Sequence, residues 1–327
     1  MSTSQILDQL TDSQVKAKAS RAAFGEFLQE FGAKNPRIVA LDADLSKSTQ
    51  TQHFAKKFPE RFFNMGIAEA NMIGVAAGLA RADLIPFAAS FGCFLTGRFD
   101  QIRMSVSFTN ANVRLIGTHA GVGIGEDGHS QMALEDLALM RVLPHMTVLQ
   151  PADEADTKRL LEWSLSHKGP CYFRLTRQNL KAIKWPSESQ KVKVGHWDFL
   201  HTEANSIMII NSGGLLENCV KVADRLKEEG HNVSVVNASW ISPVAHENFS
   251  KISELKPQLI VSVEDHYTIG GLASVIAENL IERHSLFPLC KVGVRDFGAS
   301  GSPQDNLKVY GLDPEGIYQQ IKKCYKK

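Results

Sequence analysis

Ala68-Glu69-Ala-Asn-Met72-Ile73-Gly-Val75-Ala-Ala-Gly-Leu79-Ala-Arg-Ala-Asp-Leu84-Ile-Pro-Phe-Ala-Ala89-Ser-Phe91 holds the two periodicities that decide the fold. Met72, Ile73, Val75 and Leu79 give residues 68–82 an apolar helical pattern, and the short apolar run 84–89 that follows has the length and density of a buried strand. A single acid, Glu69, opens the helix, where a free carboxylate among apolar neighbours is costly.

The same alternation runs outward in both directions. Strands are expected at 37–41, 113–117, 147–150 and 171–175, and helices at 21–31, 93–106, 133–140 and 154–166. Between 178 and 204 the pattern lapses into a polar linker that includes Trp185-Pro-Ser-Glu-Ser-Gln, leading to a short hairpin or edge strand. It then resumes, with strands at 206–210, 233–236 and 259–263 and helices at 215–229 and 272–282. The pattern predicts an α/β fold of two consecutive α/β domains with mainly parallel sheets, residues 1–185 and 186–327. A chain of 327 residues has room for both. In such sheets ligands gather at loops off the carboxyl ends of strands, where His119 and the loop 121–131 fall.

With 43% hydrophobic and 22% charged residues and a net charge of +1, the composition offers no electrostatic case for nucleic acid or a membrane surface. No apolar run approaches the roughly 18 residues of a membrane span, and the N-terminus lacks a signal-peptide pattern. The five cysteines are scattered without a CxxC pair, so neither a disulfide framework nor a zinc site is expected, and a cytoplasmic location is.

Gly123-Ile-Gly125-Glu-Asp127-Gly128 formally matches GxGxxG, but its glycines start several residues past the strand. Glu126 and Asp127 would also stand where a pyrophosphate needs positive potential. Taken singly, the other candidates have ordinary explanations. Glu69 suits a helix N-terminus, Phe91 and Phe94 at i, i+3 suit a core, and His119, Arg21 and Arg177 are unremarkable.

Their order and spacing are not ordinary. The segments Asn64–Ala80, Pro86-Phe-Ala-Ala-Ser-Phe91-Gly-Cys-Phe94, Phe99-Asp-Gln-Ile-Arg103, Thr118-His119, Gly125-Glu-Asp127-Gly-His-Ser-Gln131 and Arg174-Leu-Thr-Arg177 carry a resemblance to the transketolase family of thiamine-diphosphate enzymes. Leu41-Asp-Ala-Asp44-Leu-Ser-Lys-Ser48 and Val263-Glu-Asp-His266 extend it over essentially the whole chain, as the family's pyrimidine-binding and C-terminal domains.

The resemblance implies that Glu69 shares a proton with the cofactor's aminopyrimidine ring while Phe91 and Phe94 pack on that ring. It places Gln131 near the cofactor amine and the substrate hydroxyls, and Asp127 on a sugar hydroxyl. Arg21, Ser48, His119 and Arg177 match the positions that hold the sugar phosphate, a set of cations and a hydroxyl suited to a dianion. Glu69, Gln131 and His119 are the implied catalytic group, and no metal ligand is expected in the chain itself.

One family feature is missing. The sequence contains no Gly-Asp-Gly, the start of the motif that grips the diphosphate through Mg²⁺ or Ca²⁺. The expectation is therefore the C-terminal subunit of a split transketolase, with the divalent cation and the diphosphate domain on an N-terminal partner subunit. An α2β2 assembly acting on sugar phosphates goes with it. The rival readings are the β subunit of a 2-oxoacid dehydrogenase E1 component, a deoxyxylulose-phosphate synthase, and a non-catalytic assembly or regulatory homologue. The sugar-phosphate set weighs against the first, the Thr118-His119 pair against the second, and the intact candidate site against the third.

Overall fold

The computed structural model describes residues 6–12 and 14–325, with the side chains of residues 188 and 190 left aside. In chain order its strands are β1 (Lys18–Ala19), β2 (Ile38–Asp42), β3 (Phe62–Asn64), β4 (Ile85–Phe91), β5 (Arg114–Thr118), β6 (Thr147–Leu149), β7 (Cys171–Arg174), β8 (Asn179–Leu180), β9 (Asp198–His201), β10 (Ile207–Ser212), β11 (Val233–Asn237), β12 (Trp240–Ser242), β13 (Leu259–Tyr267) and β14 (Leu289–Val294). They build a seven-stranded sheet ordered β12-β6-β7-β5-β4-β2-β3, a five-stranded sheet ordered β14-β13-β10-β11-β9, and a short β1–β8 pair. Within the two large sheets every pairing is parallel except β12 with β6 and β9 with β11. The expected architecture of two α/β units with mainly parallel sheets is the one observed.

The helices between the strands explain the parallel pairing, because each crossover lays an apolar helix face on the sheet. β4 is buried at every residue, as a central strand covered on both faces must be. The helix Glu69–Arg81 turns Met72, Ile73, Ala76 and Ala77 inward and packs on β4. In the smaller unit, Leu216–Glu228 is the most strongly amphipathic of the crossover helices and covers β10 and β11.

Two expectations are corrected. The predicted helix 93–106 is broken into Gly92–Thr96, Phe99–Gln101 and a wide π turn over Ile102–Ser107. The first piece ends where the Gly97 N–H bonds back to the Cys93 carbonyl, and Arg98 leaves the helical region. Cys290 and Cys324 are joined as a disulfide, with Cα atoms 6.0 Å apart. That pairing has no local signal, because it depends on the helix Pro314–Tyr325 packing beside β14 and not on a spacing motif.

β2 is flanked on one side by β3 and on the other by β4, so the chain reverses direction across the sheet between β2 and β4. Open α/β sheets form their crevices at such a point. The segments leaving the carboxyl ends of β2, β3, β4, β5 and β7 carry the candidate residues apart from Arg21, which comes from the helix Ser20–Lys34 ahead of β2. No helix among the described residues is long and apolar enough to cross a membrane.

Candidate active site

Arg21, Ser48, Phe91, Phe94, His119, Asp127, Gln131 and Arg177 line one cavity of about 600 Å³. Five separate segments deliver them. Arg21 is the second residue of the helix Ser20–Lys34. Ser48 lies in the short helix Ser46–Thr49 after β2. That turn is shaped by Asp42, a fully buried acid at the end of β2, which accepts from the Leu45 N–H and from the hydroxyls of Thr49 (2.6 Å) and Thr51 (2.9 Å). Sequence reading missed this bracing role of Asp42; its short reach to two threonines within ten residues was the available signal.

Phe91 ends β4, and its ring stacks on Phe94 with centroids 5.4 Å apart and on His119 with centroids 3.9 Å apart. His119 follows β5 in the left-handed region, at φ +56°. The bend turns its ring across the floor of the cavity.

The hydrogen bonds fix the state of that ring. An arginine can only donate, so Nε2 of His119 accepts from Arg21 Nη1 at 3.2 Å. The ring proton then sits on Nδ1 and donates to Thr118 Oγ1 at 2.9 Å, whose own proton is directed at the Ser90 carbonyl. Burial, followed by the positive charges of Arg21 and Arg177, pushes the His119 pKa down to about 3. His119 is therefore a neutral imidazole at physiological pH, and the positive charge of the cavity resides on the two arginines and Lys47.

Arg21 also donates to the Ser48 carbonyl at 2.8 Å. Arg177 donates to the Ile124 carbonyl at 2.9 Å and to Asp127 at 3.1 Å. Asp127 thus faces Arg177, and both remain more than a third exposed. An incoming anion would find two guanidinium groups already oriented by backbone carbonyls, which suits bidentate recognition.

Glu69 stands apart from this group. It is only 5% exposed at the start of its helix, it is not among the residues lining the cavity, and its carboxyl has no hydrogen-bond partner among the described residues. Its carboxyl oxygens are not among the fully buried polar atoms left unpartnered in the described residues, so they remain open to a group from outside the chain. An acid of this kind, with stacked aromatic faces nearby in the fold, fits the pyrimidine end of thiamine diphosphate. Among the described residues no group of three or more His, Cys, Asp or Glu is arranged to hold a metal ion.

Other functional contacts escaped the sequence reading. The loop 121–131 is tied down by Asp265, Gly298, Ser300 and Asn306 from the far end of the chain. A second cavity on the other side of Arg21 and Arg177 is walled by Gln178, Asn179, Pro303 and Gln304. Only the Val263-Glu-Asp-His266 motif hinted that this part of the chain mattered.

Comparison with known proteins identifies the family. Residues 16–182 match the transketolase pyrimidine binding domain, and residues 195–317 match the transketolase C-terminal domain. A putative transketolase C-terminal section of Methanocaldococcus jannaschii is 40% identical over 312 residues, covering 95% of this chain and 97% of that one. The transketolase of Rattus norvegicus is 35% identical over 306 residues, but this chain spans only 48% of its length. A solved structure described as a split gene transketolase, inactive beta4 tetramer, superposes with a TM-score of 0.85 at 41% identity, over 94% of this chain and 98% of that one. The chain belongs to the transketolase family, as the C-terminal section, pyrimidine-binding plus C-terminal domains, of a split-gene transketolase.

Proposed function

We propose that this chain is the C-terminal subunit of a two-subunit, thiamine-diphosphate-dependent transketolase. It transfers a two-carbon ketol unit from a ketose phosphate to an aldose acceptor. The carrying observation is the convergence of Arg21, Ser48, His119 and Arg177 on one cavity beside the stacked rings of Phe91 and Phe94. The division into domains at 185/186 belongs to the same reading, supported by the family matches that end at 182 and begin at 195.

Thiamine diphosphate, when bound, supplies the nucleophilic carbon that carries the two-carbon unit. The chain's own residues bind, orient and move protons around it. Glu69 shares a proton with a pyrimidine nitrogen once the cofactor is bound, and its carboxyl is free for this because no hydrogen bond within the described chain engages it. Phe91 and Phe94 present a ring face and exclude water. Arg21 and Arg177 hold the terminal phosphate, with Ser48 offering a hydroxyl. His119, neutral, keeps Arg21 aimed through Nε2. Gln131 and Asp127 read hydroxyls of the sugar, Asp127 through Oδ1 while its Oδ2 stays on Arg177.

The diphosphate and its Mg²⁺ or Ca²⁺ belong to an N-terminal partner subunit in an α2β2 complex, and a cytoplasmic location goes with this reading. The split-gene relative, described as an inactive tetramer of β chains, supports a need for that partner. The test is affinity co-purification from the native host, followed by a ketol-transfer assay. Recovery of an equimolar chain carrying Gly-Asp-Gly, with transfer from xylulose 5-phosphate to ribose 5-phosphate, is the expected result. A complex that instead decarboxylates 2-oxoacids, or a chain that binds no partner, refutes the proposal.

A further inference from the structure

The loop Gly121–Gln131 carries Asp127 and Gln131, yet its anchors lie in the second half of the chain. Asp265, near the end of β13, accepts from the Val122 N–H at 2.8 Å. Asn306 donates from Nδ2 to the Val122 carbonyl at 3.1 Å, so one peptide segment is gripped from both sides. Ser300 Oγ donates to the Glu126 carbonyl at 2.5 Å, and the Gly298 N–H donates to His129 Nδ1 at 3.2 Å. Asp265 and Asn306 are buried, at 7% and 2% exposure. The grip requires a glycine at 121 twice over: the residue sits at φ +87°, and a Cβ there would lie 1.9 Å from Asp265 Oδ2.

From this loop two bonds pass onward to Arg177, through the Ile124 carbonyl and the Asp127 carboxylate. The Arg177 guanidinium is more than a third exposed, so these two acceptors set its direction. Pro303 and Gln304, on the same second-domain segment as Asn306, share the adjoining cavity with Arg21 and Arg177.

We propose that Asp265 and Asn306 are positioning residues for anion recognition. The second domain fixes Val122, Val122 fixes the loop, and the loop aims Arg177 at the terminal anionic group of the sugar. The inference rests on the reading that Arg21 and Arg177 hold that group. A shift of the loop by about 1 Å would misdirect the guanidinium, and displacements of that size cost catalysis dearly.

The test uses the complex reconstituted with its diphosphate-binding partner, takes the uncharged ketose L-erythrulose as a constant donor, and compares two acceptors, D-ribose 5-phosphate and the uncharged glycolaldehyde. Arg177→Ala is expected to raise KM for ribose 5-phosphate about tenfold or more and to leave KM for glycolaldehyde unchanged. If it does not, the anion-site reading itself fails. Given that selective effect, Asn306→Ala and Asp265→Ala are expected to raise KM for ribose 5-phosphate about five- to tenfold, with kcat and the glycolaldehyde KM within about twofold. Asp265→Asn keeps an oxygen for the Val122 N–H and should restore most of the loss. The double variant Arg177→Ala/Asn306→Ala should be no worse than Arg177→Ala alone, because the two act in series.

Hydrogen–deuterium exchange on the chain by itself gives an independent reading, with amides 122–128 expected to exchange faster in Asn306→Ala. Should the buried variants fail to fold, Ser300→Ala decides, since it removes an exposed anchor and predicts a selective rise of about twofold. The proposal is overturned if Arg177→Ala is selective while the anchor variants either leave both acceptors unchanged or impair both equally.

Discussion

Glu69 and Glu264 are two buried glutamates, each beside the first turn of a helix, and they are used in opposite ways. Glu264 is fully buried in β13 and accepts from the N–H groups of Leu272 (2.7 Å) and Ala273 (2.9 Å), the first residues of the helix Leu272–Glu282. Burial pushes its carboxyl up to about 7, against the pull of those two N–H bonds. Glu69 is nearly as buried and stands at its own helix start, yet it accepts from no N–H among the described residues. A carboxyl that serves the fold shows its partners inside the chain. Glu69 shows none among the described residues, and its carboxyl oxygens stay open to a group from outside. Glu264 displays what a helix-terminal acid looks like when its partners lie in the chain, and Glu69 differs from it in that respect.

The contrast can be broken most sharply at Glu69. Glu69→Ala should lower ketol transfer by the assembled complex about 10³-fold, within the range for loss of a proton-transfer group, and leave the denaturation midpoint equal or higher. A variant with undiminished turnover would return Glu69 to the fold. The converse substitution, Glu264→Ala, should cost about 3 kcal/mol of stability through two orphaned helix N–H groups, measured by urea unfolding. Transfer per folded molecule should be retained, and a stable but inactive variant would show that Glu264 is not the structural member of the pair.

His119 gives a third, smaller test. An unfolded histidine takes its proton near pH 6.5, whereas His119 in the fold remains neutral down to about 3. Protons therefore favour the unfolded state across that window. The stability linked to this site is complete above pH 6.5 and is lost as the pH falls toward 3. Between pH 7 and 5 the loss is about 2 kcal/mol, and His119→Gln should remove that part of the acid limb. Stability curves with the same slope for both proteins would mean that His119 is protonated in the fold and adds positive charge to the cavity.

Much of this was legible in the sequence, for identifiable reasons. Helix 68–82 and strand 84–89 were readable because long apolar periodicity survives whatever packs against it. The candidate residues were readable because loops after parallel strands carry local motifs such as Thr118-His119 and Arg174-Leu-Thr-Arg177. Other features lacked any local signal. β12 has three residues and no alternation, and it takes its register from Leu149 and Val148 far upstream. The helices Pro303–Val309 and Pro314–Tyr325 went unread, and with them the Cys290–Cys324 pair and the Asn306 anchor. Asp42 was visible as a residue, but its bracing of the Ser48 turn depends on where Thr49 and Thr51 fold back.

β12 also constrains where such a chain can be divided. Trp240 and Ser242 belong by sequence to the second unit, but they zip onto β6 and cap the end of the first sheet. The Trp240 ring meets Trp163 edge-on at 4.7 Å, and its carbonyl accepts from the Trp197 indole. A gene cut at 185/186 would strip the upstream fragment of its border strand and leave β6 with bare amides and carbonyls beside an uncovered indole. Such an edge invites pairing with any passing strand. The polar stretch that reads as a natural seam is thus a poor place for evolution or an engineer to insert a stop codon, since the fragments would be born sticky on one side and missing a foothold on the other.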